Sequence, residues 1–184
     1  MKIAWCLTGS GDKFRETYEV MRGLRKDFGE SLTIHVYLSK AAELVARYYK
    51  LSSELQGFDQ YNIERDANTP FLSGMLQTGK YDLLIIAPAT SNTVAKIVVG
   101  ISDTLITNAA VQGAKGFIDV YIMPVDFREG VFTTVIPSGR EIKLRVRKED
   151  AENVRRLEKM EDFHVFENPI EIRDIVKKKI KNLG

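Results

Sequence analysis

Apolar and polar positions along the chain sort into alternating strand-like and helix-like stretches. Residues 2–8, 32–38, 83–87 and 117–123 read as strands. The run from Leu83 to Ala87 has no polar alternation, which suits a strand buried on both faces, as in a parallel sheet. A short third strand is expected over 59–64. Helices are expected where apolar residues recur three and four apart: Phe14, Tyr18, Met21, Leu24 and Phe28 form one stripe, and Ala41 to Leu51 another. Asn68-Thr69-Pro70 reads as a capped helix start with proline in the first turn. That helix should carry Phe71, Met75 and Leu76 and end at Gly79. A short helix is expected after Asn92, with Val94, Ile97 and Val98 inward and Gly100 at its end. Ser102 or Asp103 should cap another, burying Leu105, Ile106 and Ala109 and ending at Gly113 and Gly116. Residues 131–136 and 141–146 flank Pro137-Ser138-Gly139-Arg140, a β-hairpin signal expected to extend the sheet in antiparallel fashion. A helix capped by Glu149 or Asp150, a short strand over 163–166 and a basic helix opened by Asn168-Pro169 complete the chain.

Two turns carry chemistry. Pro88 is expected to stop its strand, and Ala89, Thr90, Ser91, Asn92 and Thr93 then lead into a helix. In open α/β sheets ligands bind at such strand-to-helix junctions. Backbone N–H groups there lack intrahelical partners, and small residues let a flat ligand approach the main chain. A plain capped turn uses the same residue types. The second turn, Thr8-Gly9-Ser10-Gly11, follows the first strand and precedes the first helix. It suits a phosphate cradle. It lacks the Gly-Lys-Ser/Thr ending of a Walker loop, and Phe14 occupies the third-glycine place of a dinucleotide fingerprint. The second strand ends in Ser39-Lys40, not in the acidic residue that would hold a ribose diol. A hydroxyl and an ammonium suit the phosphate of a mononucleotide.

Charge and composition narrow the classes. With 27 basic and 25 acidic residues among 184, the net charge is +2, which points to neither nucleic acid nor an anionic membrane as a partner. The last forty residues are rich in Lys and Arg. They form either a solvated helix face or a docking patch for an acidic protein. The single cysteine, Cys6, rules out an internal disulfide and a self-supplied iron–sulfur cluster, and its apolar surroundings suggest packing. His35 reads as a packed or edge histidine. No metal-ligand set stands out. No apolar stretch reaches membrane-spanning length, and Met1 to Leu7 is too short for a signal core, so a cytoplasmic protein is expected.

Pro88-Ala89-Thr90-Ser91-Asn92-Thr93 resembles the Pro-Ala-Ser-Ala-Asn-Thr motif of the homo-oligomeric flavin-containing cysteine decarboxylase superfamily. Ala95-Lys96, Gly100, Asp103, Leu105 and Thr107 resemble the run that follows it there. The resemblance spans roughly residues 2–125. It implies a Rossmann-like three-layer α/β fold with a mostly parallel sheet, bound FMN, and a homo-oligomer, commonly trimer-based, with flavin at subunit contacts. Residues 1–125 would form the FMN-binding core of a single domain over 1–184, and 126–184 a hairpin and helical extension. The site it implies comprises Gly9, Ser10, Gly11 and Ser39 at the phosphate. Ala89, Thr90, Ser91, Asn92 and Thr93 would lie at the ring, with Thr107 and Asn108 as further candidates. Asp103 either contacts the flavin or only caps a helix. Met123 to Asp126, the hairpin and Arg147 to Val154 resemble the archaeal flavoproteins and related dihydromethanopterin reductases. Pro124-Val125-Asp126-Phe127 lacks the Met and Asn of the decarboxylase Pro-x-Met-Asn clamp. Residues 59–72 hold no histidine to match the decarboxylase base, and Asn108 stands near the place of the prenyltransferase Arg. The resemblance therefore implies a redox flavoprotein taking electrons from ferredoxin. Reduction of a pterin such as dihydromethanopterin is the alternative, with decarboxylation a further one.

Overall fold

The computed structural model describes residues 1–136 and 138–183. Six parallel strands form one sheet in the order β3-β2-β1-β4-β5-β8. They are β1 (Lys2–Leu7), β2 (Thr33–Leu38), β3 (Gln60–Ile63), β4 (Leu83–Ala89), β5 (Val120–Pro124) and β8 (Phe163–Val165). β1 pairs in register with β2 from Lys2 opposite Thr33 to Leu7 opposite Leu38, and with β4 from Ile3 opposite Leu83. These two pairings bring the ends of β1, β2 and β4 side by side.

Alternation along the strands feeds two cores. Ile3, Trp5 and Leu7 pack with the stripe of α1 (Phe14–Phe28), with Ala42 and Ala46 of α2 (Lys40–Tyr48), Leu55 of α3 (Ser52–Gln56), and Ile172 and Val176 of α8 (Glu171–Leu183). Ala4, Cys6, Leu84 and Ile86 face the other layer. That layer is α4 (Leu72–Gln77), α5 (Ser91–Val98), α6 (Leu105–Lys115) and α7 (Lys148–Leu157). A sheet covered on both faces needs apolar side chains on both, which is why β4 is buried throughout. The fold is thus the three-layer α/β arrangement with a parallel sheet. Cys6 is buried, and the surrounding apolar atoms push its thiol pKa far above the usual value. His35 is packed as expected, its Nδ1 2.8 Å from the Tyr81 hydroxyl.

Several local expectations are corrected. The hairpin of β6 (Gly130–Val135) and β7 (Glu141–Val146) forms a separate two-stranded sheet and does not extend the main one. Pro137 of its expected turn lies outside the described residues. Pro88 lies within β4, and the register of β4 on β5 shifts between Ile86 and Ala89. Helix α4 begins at Leu72, with no side-chain cap. Asn68 instead offers its Oδ1 to Asn108, and Phe71 is exposed. Thr104 caps α6, displacing Ser102 and Asp103 from that role, because its hydroxyl forms a capping box with Thr107. Gly113 lies inside α6, where its bare Cα faces Leu76, Leu84 and Val120, and the helix runs on to Lys115. Phe117 precedes β5 and is 98% exposed, in a left-handed turn. Arg147 precedes α7 without side-chain capping, and Asp150 pairs with it at 2.6 Å. Helix α3 has no counterpart among the elements expected from the sequence. Among the described residues no helix is long and apolar enough to cross a membrane.

Candidate functional site

Two turns meet at the C-terminal edge of the sheet because β1 and β4 are neighbours. Thr8 joins them. Its hydroxyl donates to the Pro88 carbonyl at 2.9 Å and accepts the Thr90 N–H at 2.8 Å. Its own N–H also donates to Pro88 O, at 3.2 Å. On the other side, the Ser39 N–H donates to Leu7 O at 3.0 Å, which sets the start of α2 against the end of β1. Gly9 then passes so close to α2 that a Cβ there would stand 2.5 Å from Ala41 Cβ. Glycine is required at this position by contact, not by a positive φ.

The result is a cleft of ≈ 660 Å³, a volume within the range of small-molecule and cofactor sites. Three helix N-termini border it. Ser39 caps α2 by accepting the Ala42 N–H, Thr90 caps α5 by accepting the Thr93 N–H, and Thr104 caps α6. Such termini favour negative charge and offer backbone donors. Glu64, just beyond β3, reaches two of them. Its Oε2 accepts the Lys40 N–H at 3.0 Å and its Oε1 the Leu105 N–H at 2.9 Å. Lys40 also borders the cleft, as do Lys96 and Asp103, which pair at 2.8 Å. The hydrogen bond from Lys96 holds the Asp103 carboxyl below the usual range. Asp103 is therefore an ion-pair partner on the cleft rim, not a helix cap.

The anticipated residues divide among three places. Gly9, Ser39, Thr90, Ser91, Asn92 and Thr93 line the cleft together. Ser10 and Gly11 face a second groove of ≈ 320 Å³, roofed by Phe132, Ile136, Ile142 and Leu144 of the hairpin. The two spaces share Gly9, Thr90 and Ser91. A side chain at Gly11 would collide with the ring of Tyr49, which closes that end of the groove. Ala89, Thr107 and Asn108 are buried. Ala89 offers its carbonyl to the Val125 N–H at 3.1 Å, and Thr107 is used in the α6 capping box. Asn108 donates to Ala67 O at 2.9 Å and to Asn68 Oδ1 at 3.1 Å. It fixes the 66–69 loop, of which Asp66 and Ala67 line the cleft. Sequence reasoning missed Glu64 and Thr104, and named Lys96 only within the run that resembles the superfamily. The partners of Glu64 lie 24 and 41 residues away, so no local pattern marks it.

A parallel sheet with a polar cleft at its carboxyl edge, ringed by helix starts, defines a nucleotide-type ligand-binding α/β protein. The flavoprotein family model matches residues 1–183, and the chain belongs to that family. It is 45% identical to an uncharacterized protein, MJ0730, of Methanocaldococcus jannaschii, over 98% of this chain and 97% of that one. It is 36% identical to a dihydromethanopterin reductase (acceptor) of the same organism, covering 94% of each. Among solved structures, Burkholderia xenovorans DmrB, described as a cubic protein cage for redox transfer, has been determined in complex with FMN. It superposes with a TM-score of 0.82 at 33% identity, over 99% of this chain and 96% of that one.

Proposed function

We propose that the cleft holds FMN and that the protein is a redox flavoprotein, taking electrons from a ferredoxin-type carrier and passing them to a downstream acceptor. The observation that carries this reading is the convergence of three capped helix N-termini and the Gly9 turn on one cleft, in a chain of the flavoprotein family. The residues fit the group. An anionic phosphate is suited to the free backbone donors near Gly9 and Ala41 and to the Ser39 hydroxyl, with Lys40 adding positive charge. The flat ring suits the Thr90–Asn92 turn, where small side chains leave the main chain approachable. Ser10 and Gly11 lie beside this site in the hairpin groove. Ala89, Thr107 and Asn108 act from beneath it, by holding strand, helix and loop in place. When bound, FMN supplies the electron exchange, and the protein supplies position and electrostatics.

The acceptor is a pterin of the dihydromethanopterin type on a second reading, favoured by the name of the 36% identical relative. The hairpin groove shares Gly9, Thr90 and Ser91 with the cleft, and so gives an acceptor a seat beside the cofactor. Decarboxylation is disfavoured by Pro124-Val125-Asp126-Phe127 in place of the clamp. The relative described as a cage makes a homo-oligomer the expected assembly, trimer-based in this reading, with flavin near subunit contacts. The test is the visible spectrum of the purified protein, followed by anaerobic reduction. Bound FMN bleached by reduced ferredoxin and not by reduced nicotinamide supports the donor, and reoxidation by a dihydropterin supports the acceptor. A colourless protein that cannot be reconstituted with FMN defeats the reading.

A further inference from the structure

Glu64 is more than nine-tenths buried, yet it forms part of the cleft wall. Its two oxygens each take one backbone donor, from the first residues of α2 and α6. Both donors sit at helix N-termini, which hold the carboxyl group in a fixed position. A carboxylate has about four acceptor positions, and these two bonds leave about two open. Each oxygen already has one partner, and the open positions can take further donors from whatever fills the cleft.

The parts of the cofactor differ in what they can give. The phosphate carries negative charge and offers a carboxylate no donor. The ring presents mostly acceptors and one N–H along a single edge. The chain between them is a polyol, with several hydroxyl donors. We infer that Glu64 binds the ribityl chain of the flavin, accepting hydrogen bonds from its hydroxyls, with the α2 and α6 N-termini as its fixed mount. The chemistry matches that of the acidic residue that holds a ribose diol in dinucleotide folds. That residue ends the second strand there, where Ser39 and Lys40 stand in this chain. Here the carboxylate follows β3 and reaches the cleft from the neighbouring strand. The inference rests on the FMN reading above.

The test uses apoprotein and equilibrium titration by flavin fluorescence, with no turnover. Three probes are compared: FMN, lumiflavin (the same ring without the chain) and a flavin phosphate whose ribityl is replaced by a plain alkyl chain. Glu64→Gln should weaken FMN at least about tenfold, as expected for loss of a charge-assisted hydrogen bond, and change lumiflavin less than about twofold. Equal weakening of both would mean that Glu64 only braces the two helices, and would overturn the inference. The wild-type protein gives an arm that needs no variant. The alkyl analogue should bind about tenfold more weakly than FMN, and equal binding overturns the inference as well. Failure of the cofactor reading is distinguishable, because wild-type apoprotein would then bind neither FMN nor lumiflavin.

Discussion

The cleft and the hairpin groove lie on either side of Gly9, Thr90 and Ser91, and they are built in opposite ways. The cleft is walled by strand ends and helix starts. Thr8, Ser39, Glu64, Thr90 and Thr104 are each held by hydrogen bonds to backbone. The groove is roofed by apolar side chains of a hairpin whose strands, among the described residues, pair only with each other. Val131 and Val135 on its outer side stand in solvent. A wall of fixed backbone donors costs nothing to reorganise and suits a resident ligand. A half-exposed apolar roof opens at low free energy and suits one that exchanges.

The sharpest way to break this contrast is to fill the cleft. Gly9→Val places side-chain atoms where Ala41 Cβ already stands, and overpacking of this kind costs about 1–3 kcal/mol. Bound flavin measured by absorbance should fall more than about tenfold, since the clash displaces Gly9 and Ala41, which both line the cleft. Full flavin content in a folded variant would move the site elsewhere.

Thr8→Val tests the join between the turns at nearly constant volume. It leaves the Pro88 carbonyl with one donor fewer and the Thr90 N–H without its acceptor. Urea unfolding should show a loss of about 1–3 kcal/mol, and Thr8→Ser should recover most of it.

A smaller effect comes from His35, which lines neither groove. Burial, with Lys2 nearby, lowers its pKa below the usual 6.5, and Asp59 opposes this only in part. The unfolded chain therefore takes up the proton first. The stabilisation is complete above pH about 6.5 and is lost as pH falls through the lowered folded value. Stability measured from pH 7 to 5 should decline, and His35→Asn should flatten that part of the profile. An unchanged slope would place the titrating group elsewhere.

The smallest effect on stability should come from the roof itself. Leu144 is 45% exposed, so Leu144→Ser should change stability by less than about 0.5 kcal/mol and leave flavin content intact. The KM for a dihydropterin should nonetheless rise several-fold. An unchanged KM would remove the groove from the acceptor's path.

Much of this architecture was legible beforehand because its signals are local. A strand buried on both faces must be apolar throughout, so β4 announced itself, and β1 and β2 did so by their largely apolar runs. The α1 stripe of Phe14, Tyr18, Met21 and Leu24 carried its period openly. The dense hydroxyls after Pro88 and the glycines after Thr8 marked both turns. Where two caps competed, local reading failed. Ser102, Asp103 and Thr104 are all good caps, and the reciprocal bond with Thr107 selected Thr104. Asn68 and Pro70 looked like a helix start, but Asn108 claimed the Asn68 side chain from 40 residues away.

What the amino-acid order determined by itself is most of the strands and helices and the chemistry of the two turns, since each depends on period and on neighbours a few residues apart; the short helix α3 is an exception. Only the tertiary structure decided which turns share a cleft, because strand order places β1 between β2 and β4. It also decided that Ser10 and Gly11 face the hairpin groove while Gly9 borders both spaces, and that the hairpin stays apart from the main sheet. Glu64 shows the limit best. An acidic residue after a short strand is ordinary in sequence, and it becomes a site residue only where two helix starts converge on its oxygens.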